Sequence, residues 1–224
     1  MDSPGTLIAS GRDADIFEYR KGTVLRRSRG GRSQVLEAKT MEFVRSTGYP
    51  VPEVFEVGDD GIDLIMERIS GPTMLETASR QPWKLRGFGK DLAELHVSLH
   101  SLTAPDWMPV TPFGPGDRIL HLDLHPLNII LSSKGPVVID WTNASRGNPM
   151  VDVAATWVLL VSGTVPGGRL DAAKAKVGRG ILLRGFLKPF SKTELNSVLN
   201  GVVEWKSKDP NMTAAEIERM RSLL

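Results

Sequence analysis

Residues 121 to 141 restrict the fold more than any other part of the chain, because they place polar residues at fixed distances around a short hairpin. Two apolar runs, residues 129–131 and 137–139, flank a turn-forming Ser-Ser-Lys-Gly segment, which is the pattern of a β-hairpin. Asn128 precedes the first run and Asp140 follows the second. If the two strands pair symmetrically, these two side chains face each other across the open end of the hairpin.

The spacing of these side chains suits one hard cation with a carboxylate beside it. Neighbouring strands lie about 5 Å apart, so Asn128 and Asp140 can both reach one Mg²⁺ ion, which prefers oxygen ligands. Asp123 lies five residues before Asn128, close enough to contact whatever the cation holds. The order His-x-Asp-x-x-x-x-Asn, hairpin, Asp matches the catalytic loop and metal-binding aspartate of the kinase fold, and it predicts a phosphotransferase.

The composition makes several other classes of protein poor candidates. The 224 residues are enough for one large domain or two small lobes. The formal net charge of +2 is too small for nucleic acid or an anionic membrane to be the main partner. The chain has no cysteine, which excludes disulfides and cysteine-ligated zinc. It also shows no membrane span and no signal-like start, so we expect a cytoplasmic protein.

The order of predicted elements indicates an α+β chain with two lobes. Residues 1–69 should form a nucleotide-binding N-lobe with one helix, residues 33–47, and five strands, which we predict at residues 6–9, 15–19, 23–27, 54–57 and 62–66. Residues 70–224 should form a mostly helical C-lobe around the hairpin. Its clearest helices are an amphipathic one near residues 85–102 and a buried one near residues 152–161.

The polar residues also admit a second interpretation, a metal-dependent hydrolase. Residue types that bind zinc or a redox metal occur at His121, Asp123, His125 and Asp140, and in the helical pair His96 and His100. Histidine ligands need hydrogen-bond partners that orient them. No such partners are identifiable in the sequence, so we regard this interpretation as the weaker one.

The segment from His121 to Trp141 resembles the aminoglycoside phosphotransferase family, the small-molecule branch of the protein-kinase-like fold. This family typically has a hydrophobic residue followed by Ile-Asp-Trp where protein kinases have Asp-Phe-Gly, and Asp140 lies in such a sequence. The short distance from Asp140 to Asp152 leaves no room for a long activation segment. The resemblance extends over about residues 7–161 and implies a bilobal fold with a five-stranded antiparallel sheet, one N-lobe helix and a catalytic hairpin.

The resemblance implies roles for five residues of the second lobe. Asp123 resembles the catalytic aspartate that orients the acceptor hydroxyl and receives its proton. Asn128 and Asp140 resemble the Mg²⁺ ligands. His121 resembles the histidine that braces the catalytic loop, and Asp152 the buried aspartate at a helix start that fastens the loop backbone. We interpret His121 and Asp152 as structural.

The first lobe shows weaker similarities. Val24 and Arg26 resemble the end of the kinase Val-Ala-Ile-Lys strand, and alternation places both on one face, Val24 toward the base and Arg26 toward the phosphates. An arginine replaces the usual lysine but can still pair with phosphate. Glu37, on the following helix, is the expected partner of Arg26. Gly11 lies in the expected Gly-rich loop, Ser10 to Ala14, which has one glycine rather than three.

Glu67 and Ile69 follow the fifth strand as the hinge between lobes does in this fold. The backbone C=O of Glu67 and N–H of Ile69 would hold adenine, so the side chains do not distinguish ATP from GTP. The resemblance thus implies an ATP- and Mg²⁺-dependent phosphotransferase acting on a hydroxyl of a small molecule, aminoglycoside-like or another metabolite. A non-catalytic nucleotide-binding module is the alternative, because Gly11 stands alone and Arg26 replaces lysine. The sequence leaves the acceptor and the oligomeric state open.

Overall fold

The computed structural model describes residues 4–11, 13–113, 115–163, 169–210 and 212–224. Its chain divides into two compact units: the first comprises Met1–Pro72 with Ile130–Asn143, and the second Thr73–Ile129 with Ala144–Leu224. That residues 1–69 bind the nucleotide, and residues 70–224 carry the catalytic loop, metal site and acceptor site, remains a prediction.

The strands form one large sheet and two small ones. They are β1 (Leu7–Ser10), β2 (Ala14–Glu18), β3 (Thr23–Ser28), β4 (Val54–Val57), β5 (Asp63–Glu67), β6 (Arg118–Leu120), β7 (Ile129–Ser132), β8 (Gly135–Val138) and β9 (Ser145–Gly147). The five-stranded sheet has the order β1-β2-β3-β5-β4 with antiparallel pairing throughout. The five strands predicted from short strand-like segments between turn residues lie within one residue of the observed ones, so this prediction is confirmed.

The helices fall mainly in the second half of the chain. They are α1 (Val35–Ser46), α2 (Met74–Arg80), α3 (Leu85–His100), α4 (Pro149–Ser162), α5 (Arg169–Phe186), α6 (Lys192–Lys206) and α7 (Ala214–Arg221). A short 3₁₀ helix precedes α3. Among the described residues, we find no helix whose length and apolar character would let it cross a membrane.

Helix α1 follows β3 directly and belongs to the first unit. The helix predicted over residues 33–47 begins at Val35, and its N-cap is Gln34, whose side chain makes no capping hydrogen bond. Nε2 of Gln34 instead donates hydrogen bonds to the backbone carbonyl oxygens of Arg26 and Ile62. Gly48, which follows the C-cap residue Thr47, has a left-handed φ of +87° that suits glycine at the end of a helix.

The hairpin of β7 and β8 is shorter at its turn than predicted, since only two residues separate the strands. The Ser132 hydroxyl donates to the carbonyl of Gly135, whose φ of +121° suits glycine. Strand β8 ends at Val138, one residue before the end of the predicted apolar run. Asp140 thus lies two residues beyond the strand, whereas the prediction placed it directly after the strand. Asp140 itself adopts a left-handed φ of +65°.

The core of the second unit forms around α4, which is buried on nearly all sides as predicted. Helices α6 and α7 pack on α4, and α5 packs against α3. Gly89 in α3 makes this second packing possible, because a Cβ there would lie 2.2 Å from the Leu182 carbonyl oxygen of α5. The buried residues of α3 include Phe88, Leu92, Leu95 and Leu99, the apolar stripe predicted from the sequence.

Candidate active site

A buried aspartate at the start of α4 holds the loop that follows β6. Asp152 has no exposed surface, and its carboxylate accepts the backbone N–H groups of His121 at 3.0 Å and Leu122 at 2.7 Å. Leu122 has a φ of +62°, a conformation that non-glycine residues rarely adopt. The two hydrogen bonds stabilise this strained backbone. The geometry supports the structural role predicted for Asp152.

Histidines complete the surroundings of Asp152. Nε2 of His100 lies 3.0 Å from its carboxylate. Burial opposes ionisation of Asp152, but the His100 hydrogen bond and the neighbouring histidine rings together hold its pKa well below the ordinary value. Burial also lowers the pKa of His96 to about 4, so this ring is neutral near pH 7. His96 is held by the Leu92 carbonyl at 2.8 Å and the Thr156 hydroxyl at 3.0 Å.

The loop brings Asp123 and Asn128 into direct contact. Nδ2 of Asn128 donates to the backbone carbonyl of Asp123 at 2.9 Å and to its Oδ2 at 3.0 Å. Nδ1 of the buried His121 accepts the backbone N–H of Asp123 at 3.2 Å. About a fifth of the Asp123 side chain, 21%, remains exposed. A fixed and partly exposed carboxylate of this kind can accept a proton from a bound hydroxyl group.

Lys206 is a further member of this cluster that the sequence analysis missed. Its Nζ lies 3.6 Å from Oδ1 of Asp123. His125 approaches the other carboxylate oxygen, with Nε2 3.7 Å from Oδ2. The spacing of the apolar residues in α6 places Lys206 on the buried face of that helix, and this signal could have identified it.

In the first unit, Arg26 stands at the centre of a buried polar cluster. Its guanidinium group contacts Glu37 at 2.8 Å, Asp140 at 3.2 Å and the Thr142 hydroxyl at 2.9 Å, and it also donates to Gln34. The predicted pair of Arg26 and Glu37 is therefore present. Thr142 and Gln34 were not predicted as parts of it.

Glu37 also fixes the backbone beyond the hairpin. Its carboxylate accepts the backbone N–H of Trp141 at 3.2 Å and lies 3.0 Å from the Thr142 hydroxyl. Burial raises the pKa of Glu37, and the positive charge of Arg26 only partly opposes that rise. Arg26 thus compensates a carboxylate that would otherwise be costly to bury.

Arg27 lies on the other face of β3, as alternation predicts. It is the register partner of Asp63 on β5, and its guanidinium group forms two hydrogen bonds with that carboxylate, at 2.7 and 2.6 Å. The neighbouring arginines therefore bind different partners. This separation confirms the predicted register of β3.

The remaining predicted nucleotide-binding residues all lie in the first unit. Val24 is buried in β3. Gly11 joins β1 to β2 and donates its N–H to the Ala14 carbonyl at 2.9 Å, whereas Arg12 in the same loop lies outside the described residues. Glu67 ends β5, and Ile69 follows it. Their nucleotide contacts remain predictions.

The sequence comparison matches part of this region. Residues 110–180, which include the loop, the hairpin and all of α4, match the phosphotransferase enzyme family. No curated protein sequence matches the chain.

Solved structures match nearly the whole chain at low identity. The apo form of a thermostable mutant of aminoglycoside phosphotransferase APH(4)-Ia is 15% identical with a TM-score of 0.62, over 99% of this chain and 94% of that one. The streptomycin–ATP–APH(2")-IIa ternary complex is 17% identical with a TM-score of 0.58, over 89% and 82%. The amicoumacin kinase hAmiN, in complex with AMP-PNP, Ca²⁺ and Ami, is 13% identical with a TM-score of 0.54, over 97% and 86%.

The chain has the fold of the aminoglycoside phosphotransferases. The predicted α+β, protein-kinase-like fold class is confirmed, and so is the resemblance to this family. At these identities the solved structures establish the fold alone.

Two of the histidines considered for a metal site, His96 and His100, have hydrogen-bond partners of their own. Within the part of the chain that the structure describes, no group of three or more His, Asp or Glu side chains is placed to hold a metal ion. His96 is engaged with Leu92 and Thr156, and His100 with Asp152.

Proposed function

We propose that the protein is an ATP- and Mg²⁺-dependent phosphotransferase that moves the γ-phosphate to a hydroxyl group of a small molecule. The observation that carries the proposal is the loop from His121 to Asn128, in which Asp152 fixes the backbone and Asn128 orients the Asp123 carboxylate. The match to the phosphotransferase enzyme family spans this loop. The fold supports the same reaction class.

Asp123 is the proposed catalytic base. It would accept the proton of the acceptor hydroxyl as that oxygen bonds to the γ-phosphorus. The bond from the γ-phosphorus to the bridging oxygen breaks at the same time, and its electron pair leaves with the β-phosphate of ADP. The hydrogen bond from Asn128 Nδ2 to Oδ2 would keep the carboxylate directed toward the acceptor.

Asn128 and Asp140 are the proposed Mg²⁺ ligands, and their atoms fit that role. Because Nδ2 of Asn128 is used by Asp123, its Oδ1 is the oxygen left to bind a cation. The Asp140 side chain is 42% exposed, and its Oδ1 is held by Arg26 and Thr142. These are oxygen donors, which Mg²⁺ prefers. A bound Mg²⁺ would neutralise charge on the phosphates during transfer.

Arg26 is the proposed phosphate-binding residue, held in place by Glu37. Its guanidinium group donates in several directions at once, so a phosphate oxygen could replace one present contact while Glu37 retains another. Gly11 and Val24 would lie along the phosphates and the base, and Glu67 and Ile69 would bind adenine through their backbone. Solved neighbours contain ATP, AMP-PNP or ADP, and one also contains Ca²⁺.

The acceptor is proposed as a small hydroxyl compound without further identification. Solved neighbours include complexes with streptomycin, gentamicin and hygromycin B. A polycationic acceptor is expected to favour an acidic protein, whereas this chain carries a formal net charge of +2. Neither nucleic acid nor a membrane is proposed as a partner, and a cytoplasmic location remains a prediction.

A non-catalytic nucleotide-binding module is the competing proposal. One contact favours it, the 3.2 Å ion pair between Arg26 and Asp140, because it engages a proposed metal ligand. The two proposals differ in whether the protein consumes ATP: a phosphotransferase does, and a non-catalytic module does not. ATP consumption should be measured with Mg²⁺ against a panel of hydroxyl compounds, with mass spectrometry detecting the gain of one phosphate.

We expect at least one acceptor to gain a phosphate at a rate that requires Mg²⁺. The Asp123→Asn variant is the matched control and should show almost no transfer. Nucleotide binding without transfer to any acceptor or to water would contradict the phosphotransferase proposal and favour the non-catalytic one.

A further inference from the structure

Lys206 occupies a position in α6 where an apolar residue is expected. The buried residues of this helix recur at Leu195, Leu199, Val202 and Val203, and Lys206 continues the same face. Only 4% of Lys206 is exposed. Lysine is almost never buried in this way unless it is paired, because an isolated buried ammonium group is strongly unfavourable.

The charged partner of Lys206 is the carboxylate of Asp123. Nζ lies 3.6 Å from Oδ1 of Asp123 and 4.8 Å from the centre of the Trp205 ring, within the range of a cation–π interaction. The other carboxylate oxygen, Oδ2, accepts the hydrogen bond from Asn128. The two oxygens of Asp123 thus have different neighbours: Lys206 lies beside Oδ1, whereas Asn128 and, at 3.7 Å, His125 lie beside Oδ2.

We propose that Lys206 is a positioning residue for Asp123, an inference that rests on the proposed phosphotransferase function. Its ammonium group holds the Oδ1 side of the carboxylate while Asn128 holds the Oδ2 side. The separation of 3.6 Å is longer than an ordinary N–H···O hydrogen bond of about 2.7–3.2 Å. Oδ1 therefore remains able to accept a hydrogen bond from the hydroxyl group of the acceptor substrate. The hydroxyl proton goes to Asp123, and Lys206 takes no part in the proton transfer.

The first test compares Lys206→Met, which removes the charge at similar length, with Lys206→Arg, which keeps it. We expect Lys206→Met to lower kcat by about 10- to 100-fold, since misplacing a catalytic group by about 1 Å can cost 10²-fold in rate. The KM for ATP should not change, and Lys206→Arg should recover part of the rate. Lys208→Met is the control, because Lys208 is exposed just beyond the helix.

A double-mutant cycle separates positioning from a merely structural role. If Lys206 acts through Asp123, then Lys206→Met should have little further effect on kcat in the Asp123→Asn background. A lysine that only supports the fold would lower the rate by the same factor in both backgrounds. If thermal melting shows that Lys206→Met is unfolded, the same cycle is run with Lys206→Arg, for which equal factors again overturn the proposal.

The results that would contradict the positioning role differ from those that would contradict the proposed function. An active wild type with an unchanged kcat in Lys206→Met, or equal factors in the cycle, contradicts the positioning role alone. A wild type that transfers phosphate neither to the panel nor to water contradicts the proposed function, and the role of Lys206 with it.

Discussion

At the scale of single residues, the geometry around Arg26 shows what an arginine supplies at this position of β3. Its guanidinium group contacts Glu37, Asp140 and Thr142 at 2.8 to 3.2 Å. A lysine ammonium group is a point charge, and it cannot reproduce this planar arrangement of donors. Arg26 thus connects β3, α1 and the segment after β8.

The Arg26→Lys variant should raise the KM for ATP or lower kcat by about tenfold, because one hydrogen bond to a charged group is worth about 1.5–3 kcal/mol. Lysine keeps a positive charge beside the buried Glu37, so folding is less affected than by alanine. Steady-state kinetics would measure the change. Arg27→Lys is the matched control, since Arg27 pairs with Asp63 on the opposite face. A larger loss in Arg27→Lys would contradict the assignment of the phosphate role to Arg26.

Asp140 offers a second prediction at this scale, and its backbone decides which variant to use. Because its φ is +65°, alanine would add backbone strain, whereas asparagine tolerates this conformation. Asp140→Asn should weaken Mg²⁺-dependent nucleotide binding by at least tenfold, since even indirect ligand partners are worth about 10–100-fold in metal affinity. Calorimetry with Mg²⁺ and with a chelator would measure the difference. Equal affinity in wild type and variant would remove Asp140 from the metal site.

At the scale of elements, the proposed catalytic loop depends on its attachment to α3 and α4. Asp152 of α4 binds the loop backbone, His100 of α3 binds Asp152, and His96 of α3 pairs with Thr156 of α4. Oγ1 of Thr156 also lies 2.8 Å from the Leu124 carbonyl oxygen. The two helices therefore hold the loop by hydrogen bonds as well as by packing.

This attachment predicts a loss of stability in mild acid. His96 is neutral in the folded protein until its pKa of about 4, whereas the unfolded chain takes up that proton below about 6.5. Its contribution is therefore fully present above pH 6.5 and is lost as the pH falls toward 4. The gap corresponds to about 3 kcal/mol. Asp152, whose pKa is also lowered, adds to the loss below its ordinary value of 3.8.

Chemical denaturation at pH 7 and at pH 4.5 would test this prediction. The wild type should lose stability between the two, and His96→Gln should lose less, although it begins from a lower value. His125→Gln is the control, because His125 is only partly buried and its ring contacts its own loop, at Asp123 and at the backbone N–H of Leu127. An equal pH dependence in wild type and His96→Gln would contradict the account.

At the scale of the whole molecule, the sequence predicted the elements that have a clear local signal. Strands β1 to β5 are short segments separated by turn residues such as Gly11, Gly22 and Gly61, and α3 carries a long apolar stripe, so their positions were predicted closely. Strands β6 and β9 have three residues each, too few for a period. Helix α2 was also missed, although Thr73 and Glu76 form a capping box whose Thr-x-x-Glu pattern is visible in the sequence.

The candidate site was predictable where its residues lie close together in sequence. Asp123, Asn128 and Asp140 stand in one segment with a recognisable spacing. Lys206 lies far along the chain and meets Asp123 only because α6 packs on α4. Gln34 was missed for a similar reason. Its side chain does not cap α1 but donates hydrogen bonds to the carbonyl oxygens of Arg26 in β3 and Ile62, the residue before β5.

The most direct test of the account is phosphate transfer by wild type and Asp123→Asn, measured together with nucleotide affinity. The carboxylate is assigned to the acceptor, so the variant should transfer about 10²- to 10⁴-fold more slowly, the usual contribution of a general base. Its affinity for ATP with Mg²⁺ should remain close to that of wild type. A variant that keeps near-normal turnover would exclude Asp123 from catalysis and contradict the proposed mechanism.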